Sequence, residues 1–257
     1  MNHSRFLIAA AVLFLACAGV HAQQHETRQA KTSSIHLGSK VVVIPDPDDF
    51  EEASSQFKPV RDTFTATEVP QAEFLLSHLP AAECQSLRNG ASLVLNRYTK
   101  ISILRDLREQ DISDEVMSVV ISEFRKNSGA VLDPDGPTMK SVMENAQRGL
   151  SNVSSKPIDL TLNATENLGE FDQRPQVFSV MLLLTYKTNV AGTQTVTPVL
   201  ASLTFLNVNQ RLLYVSVYRK ISSPAALKTE LKPGIADVKQ FTTKWVNQIL
   251  AANKEGQ

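Results

Sequence analysis

Four runs follow one another with little but turn residues between them: "IDLTLNATENLGEFDQ" (Ile158–Gln173), "QVFSVMLLLTYKTN" (Gln176–Asn189), "GTQTVTPVLASLTFLN" (Gly192–Asn207) and "QRLLYVSVYRKI" (Gln210–Ile221). Their apolar and polar residues alternate with a period of two, the period of a pleated strand. Strands joined by short turns pair antiparallel, so the stretch predicts an antiparallel meander. In the last hairpin, Ser202–Lys220, Asn207 and Asn209 tolerate the left-handed backbone that a tight turn needs. Leu213, Val215 and Val217 then share one strand face, and Leu212, Tyr214 and Tyr218 share the other. Pro198 lacks an N–H and is expected at a bulge or an edge.

The chain after the meander, "GIADVKQFTTKWVNQILAANK", places Val238, Phe241, Trp245 and Ile249 at helical spacing. That stripe needs a surface to cover, and the inner face of the meander is the expected one. Burial of the four side chains would contribute about 1.5 to 3 kcal/mol each.

Working back from the meander, "DISDEVMSVVISEFRKNSG" predicts a helix capped by Asp111 or Ser113, with Val116, Val120 and Phe124 on its inner face. Pro137 opens a second helix that turns Met139, Val142, Met143 and Ala146 inwards. Earlier still, "EFLLSHL" (Glu73–Leu79) reads as a strand, Ala81–Arg88 as a short helix ended by Asn89-Gly90, and Ser92–Leu104 as a strand with a break near Asn96. "KVVVIPDPDD" is a short strand stopped by Pro45 and Pro47, with a loop after it. Period-two strands flanked by helices, without βαβ alternation, make the fold class α+β: helices packed on a largely antiparallel sheet.

The first residues, "MNHSRFLIAAAVLFLACAGVHAQQ", carry Arg5, an apolar run from Phe6 to Val20 and then "VHA". The run is short for a bilayer span, and small residues precede Gln23, so residues 1–22 read as a cleaved secretory signal. The alternative is a lipoprotein anchored at Cys17, although Phe14 and Leu15 suit that reading poorly. The polar segment 23–40 is expected to be a flexible leader, and residues 41–254 a single domain without a transmembrane span. Cys84 is the one thiol left after cleavage, so no internal disulfide holds the fold. The whole chain has 26 basic and 26 acidic residues, and loss of Arg5 leaves 25 against 26. A near-neutral chain without a basic run excludes nucleic acid as an electrostatic partner.

Candidate chemistry is thin. Three histidines follow the cleavage site, His25, His36 and His78, and no H-E-x-x-H or paired C-x-x-C is present. "GLSNVSS" has Val153 where a nucleophile elbow needs its second glycine. "DPDGPTMKSVME" places Pro137 and Thr138 where a calcium loop needs a ligand and a glycine. The acids of "PDPDDFEE" read as a solvated charge run, and Cys84 as a small buried hydrophobe. No catalytic residue, metal site or cofactor is expected.

"EFLLSHLPAAECQSLRNG", "LNRYTKISILRDL" and "DISDEVMSVVISEFR", with the late "FLNVNQRLLYVSVYRKI" and the pattern W-x-x-x-I-L-x-A-N from Trp245 to Asn253, resemble a group of uncharacterised exported bacterial proteins. More distantly, the order of elements is similar to the α/β/α sandwich of PsbP, an extrinsic photosystem protein. The PsbP resemblance implies a binding or assembly module, and neither resemblance supplies an active-site residue; "NVNQ" departs from the usual turn of the exported group, standing where a glycine is common there.

These readings predict an exported, non-catalytic periplasmic protein that meets an unidentified protein or envelope component through a sheet edge or the loops opposite the terminal helix. The alternative is a carrier of a small apolar or amphipathic ligand, with Tyr214, Tyr218 and Trp245 lining a pocket between sheet and helices.

Overall fold

The computed structural model describes residues 31–154, 157–190 and 192–254. The expected signal at residues 1–22, Cys17 and the leader up to residue 30 lie outside the described residues. The chain runs β1 (Thr32–Leu37), β2 (Lys40–Pro45), β3 (Phe50–Glu52), α1 (Lys58–Ala66), β4 (Ala72–Pro80), α2 (Ala81–Arg88) and β5 (Arg97–Leu104). It continues through α3 (Asp114–Val131), α4 (Pro137–Ser154), β6 (Ile158–Asp172), β7 (Val177–Val190), β8 (Thr193–Val208), β9 (Arg211–Lys220) and α5 (Leu227–Ala252).

The meander forms, and it is extended by three earlier strands into one seven-stranded antiparallel sheet of order β3-β4-β5-β9-β8-β7-β6. Both faces of this sheet are covered. One carries Tyr98, Phe178, Leu182, Phe205, Tyr214 and Tyr218 and packs against Phe64 of α1, Phe124 of α3 and Met143 of α4. The opposite face carries Ile101, Met181, Leu213, Val215 and Val217 and packs against Val238, Trp245, Val246 and Ile249 of α5 and against the β1–β2 hairpin. The protein is therefore α+β, with helices on each side of a largely antiparallel sheet, as the two-residue period implies. Leu213, Val215 and Val217 part from Leu212, Tyr214 and Tyr218 as expected.

Several local expectations are corrected. The β8–β9 turn is made by Asn209 (φ 51°) and Gln210 (φ 61°), two consecutive left-handed residues whose twist matches a right-twisted hairpin. Asn207 is instead a buried residue of β8. Pro198 lies inside β8, opposite Thr185 of β7. Its carbonyl accepts from Ile221, so its nitrogen faces the same side, just past the Val199–Lys220 pair where the β8–β9 ladder ends. The missing N–H thus costs no ladder bond. In α3 the buried stripe is Met117, Val120 and Phe124, and Val116 points outwards.

Segment 32–37 of the expected leader is strand β1, paired with β2 from Thr32–Pro45 to Leu37–Lys40. The stretch after β2 holds β3 and α1 as well as loop. Helix α1 follows Phe57, which offers no side-chain cap, and buries only Val60, Thr63 and Phe64. The strand expected from Ser92 begins at Arg97.

Candidate functional site

One end of the sandwich gathers the β8–β9 turn, the β1–β2 hairpin, the C-terminus of α5 and the N-terminus of α3. The hairpin shares no ladder with the large sheet, so its edge groups need other partners. Trp245 and Asn253 lie just over two turns apart on α5 and supply them. Trp245 Nε1 donates to the Pro45 carbonyl at 2.8 Å. The Asn253 amide accepts from Val43 N–H at 2.9 Å and donates to Val43 O at 2.7 Å, replacing a missing strand. Asn209 Nδ2 donates to Val41 O at 2.8 Å and to Asn253 Oδ1 at 3.0 Å, drawing the turn into the same clamp. The terminal pattern W-x-x-x-I-L-x-A-N is therefore a hairpin clamp.

Across the turn, Arg211 is buried and donates to the carbonyls of Leu37, Gln110 and Gln210 at 3.1 Å each and to Asp111 Oδ1 at 2.5 Å. This guanidinium holds the exposed Asp111 carboxyl below its ordinary value, chiefly through that hydrogen bond. Two open clefts flank Asn209 and Gln210. One, of about 350 Å³, lies against the start of α3 and is lined by Ile112, Ser113, Asp114, Glu115, Gln176 and Asn207. The other, of about 550 Å³, runs along β2 past Lys40, Val41, Val43 and Asn253.

The sheet edges are less accessible to an added strand. At the β6 edge, Ile158 N–H donates to Ser151 Oγ at 3.0 Å and Leu160 N–H to Gln147 Oε1 at 3.4 Å, so α4 side chains occupy its first outward groups. Further along, β6 shifts register three times against β7. At the other edge β3 is three residues long. Bulges, short strands and side-chain covers are devices that discourage edge pairing.

The predicted pocket residues do not meet. Tyr214 and Tyr218 lie under α1–α4, while Trp245 lies across the sheet in the α5 layer, and none of them lines either cleft. Tyr218 stacks on Tyr98 with centroids 4.5 Å apart, and Tyr214 meets Phe205 edge-on at 5.2 Å. Burial pushes the Tyr214 phenol well up and raises those of Tyr186 and Tyr218 too.

Among these tyrosines sits an ion pair that sequence reading missed. Lys100 Nζ, on a side chain only 3% exposed, lies 3.1 Å from Glu68 Oε2, which also accepts from Ser102 Oγ at 2.7 Å. Burial pulls the Lys100 ammonium down, but the charge of Glu68, the Tyr218 phenol and the Glu68 hydrogen bond outweigh it, so the net shift is upward. The available signal was parity: Lys100 falls between Tyr98 and Ser102 on the face that turns towards the core.

His78 is fully buried, with Nδ1 2.9 Å from Thr99 Oγ1, Nε2 3.4 Å from Asp46 Oδ1 and its ring edge-on to Trp245 at 5.1 Å. The other acids of the run disperse: Asp48 pairs with Lys244, Glu51 with Arg88, and Glu52 accepts from Ser54 and Ser55. Cys84 is buried, and desolvation, with the charge of Glu51 adding to it, pushes its thiol up to about 12. No helix of the described residues is long and apolar enough to cross a membrane.

No protein-family model and no curated protein matches the chain. Among solved structures it is similar to the Ran-binding protein Mog1p of Saccharomyces cerevisiae, at 10% identity over 88% of this chain and 95% of that one, with a TM-score of 0.36. A likeness that slight carries neither fold nor partner across.

Proposed function

We propose that the protein is an exported, non-catalytic module that binds a protein or envelope component at the end of the sandwich built around Asn209 and Gln210. The observation that carries this reading is the pair of open clefts on either side of that turn, over a scaffold fixed by Arg211, Asn253 and Trp245. A loop surface is favoured over a sheet edge, because the β6 edge is bulged and partly covered and β3 is short, and it is the turn beside the C-terminus of α5 rather than the loops opposite that helix. Export rests on the pattern of residues 1–22 and on the resemblance to exported bacterial proteins, and the resemblance to PsbP agrees with a binding role. The ligand-carrier alternative has less support, since Tyr214 and Tyr218 lie across the sheet from Trp245.

A photo-crosslinking residue placed at Gln210 in the exporting cell tests the proposal, with Thr195 at the far end of β8 as control. Capture at Gln210 and none at Thr195 is expected. Equal capture at both positions, or none at either, would sink the reading.

A further inference from the structure

We infer that the outer face of α3 docks a basic amphipathic helix of the partner, an inference that rests on the interaction-module reading and names the partner's chemistry. Helix α3 satisfies its core with Met117, Val120 and Phe124. On its outer side Val116 is 43% and Val119 61% exposed, two of the five large apolar side chains so exposed among the described residues. A valine there gains neither burial nor helix propensity, and at i and i+3 the two form one patch. A third, Val41, is 41% exposed across the turn, where it lines the larger cleft.

Charge defines the occupant. Glu115 and Glu123 stand four residues before and after Val119, so acid, valine and acid share one stripe. At 1.5 Å per residue the two carboxylates lie about 12 Å apart along the helix. Neither has a cationic partner among the described residues; Glu123 accepts only from its own helix, at Asn127. Of the nearby cations on the helix, Arg125 is committed to Glu170 through two bonds of 2.8 and 2.7 Å, and the exposed Lys126, three residues after Glu123, forms no ion pair with it among the described residues. Glu115 also lines the smaller cleft beside Asp114, so the stripe continues the site at the turn.

An apolar partner would strip water from two carboxylates without pairing them. A second copy of α3 would set acid against acid, and an anionic membrane would be repelled. The face fits a helix with an apolar residue flanked, four positions before and after, by lysine or arginine.

The probe is a synthetic helical peptide carrying one leucine stripe with lysines at those flanking positions, and a second peptide with glutamates in their place. Each is titrated into the mature protein by fluorescence anisotropy and mapped by amide NMR shifts. The lysine peptide is expected to bind roughly tenfold tighter than the glutamate peptide, from two exposed charge pairs. Its shifts should be confined to α3 and the Asn209–Gln210 turn. The double variant Glu115→Lys/Glu123→Lys should reverse the preference, and Val119→Asp, at a solvent-facing position, should abolish binding with the circular dichroism unchanged. Equal binding of the two peptides, scattered shifts, or indifference to Val119→Asp overturns the inference. A photo-crosslinker at Val119 separates the two claims in the cell: capture at Gln210 but not at Val119 removes the helix dock and leaves the module, and capture at neither removes both.

Discussion

Asn253 and Val43, 210 residues apart in sequence, are joined by two hydrogen bonds in which a side-chain amide takes the place of a neighbouring strand. The same amide donates to Ile249 O at 2.8 Å and accepts from Asn209. One residue thus ties the end of α5, the hairpin and the β8–β9 turn together, and it lines the larger cleft.

Asn253→Ala is expected to cost about 2 to 3 kcal/mol, taking roughly 1 kcal/mol for each of the bonds to Val43 and allowing for a partner left buried. Asn253→Asp should rescue little. Its carboxylate can still accept from Val43 N–H but faces the Val43 carbonyl, and it sits at the negative end of the helix dipole. Amide hydrogen exchange gives the specific readout. Protection should fall across Thr32–Pro45 while β7 and β8 keep theirs, and a uniform loss would refute the clamp.

The Lys100–Glu68 pair supplies a second test. Removing one member by Lys100→Met leaves a buried charge unpaired and should cost about 3 to 5 kcal/mol, whereas Lys100→Met/Glu68→Leu should recover most of that loss. The folded lysine titrates above its ordinary value of 10.5. Its contribution is therefore fully present below that value and is lost as pH rises through the folded one. Urea midpoints taken upward from pH 10 should fall more steeply for the wild type than for the double variant. Parallel slopes would mean that the pair contributes nothing to the alkaline limb.

Much of this architecture was legible because it is local. The two-residue alternation from Ile158 to Ile221 and the stripe through Trp245 are statements about neighbours, and both became the elements they imply. What failed depends on distant residues. Strand β1 reads as leader because the Asn253 and Trp245 bonds that hold its partner come from the far end of the chain. Tyr214, Tyr218 and Trp245 were grouped wrongly because both faces of this sheet are buried. Each stripe of β9 is apolar, so parity separates the two sets without saying which of them α5 covers. The site itself was hardly legible, since it is made of turn amides and loop backbone that carry no motif.

Gly149 of α4 marks the closest approach of α1. A Cβ there would lie 2.0 Å from the Ala66 carbonyl oxygen and 2.6 Å from its carbon, both backbone atoms that cannot swing away. Gly149→Ala should therefore destabilise the protein by about 1 to 3 kcal/mol despite its better helix propensity. Gly129 in α3 has nothing within 4 Å of the corresponding point, so Gly129→Ala should stabilise by up to about 1 kcal/mol. Thermal melts that moved the same way for both substitutions would contradict the packing argument.

Glu83 makes the protein's stability fall between mildly acidic and neutral pH. Its Oε2 is buried without a hydrogen-bond partner, and desolvation raises the carboxyl from 4.5 to about 8. The folded protein thus keeps a proton that the unfolded chain releases. The stability from this group is complete below 4.5 and is lost progressively as pH rises to about 8. The neighbouring Cys84 thiol, held near 12, does not titrate in that window. Glu83→Gln has no proton to lose, so its urea midpoint relative to wild type should climb between pH 4.5 and 8 and level off beyond. A difference that stays constant across the range would show that the Glu83 carboxyl ionises as freely in the folded protein as in the unfolded chain.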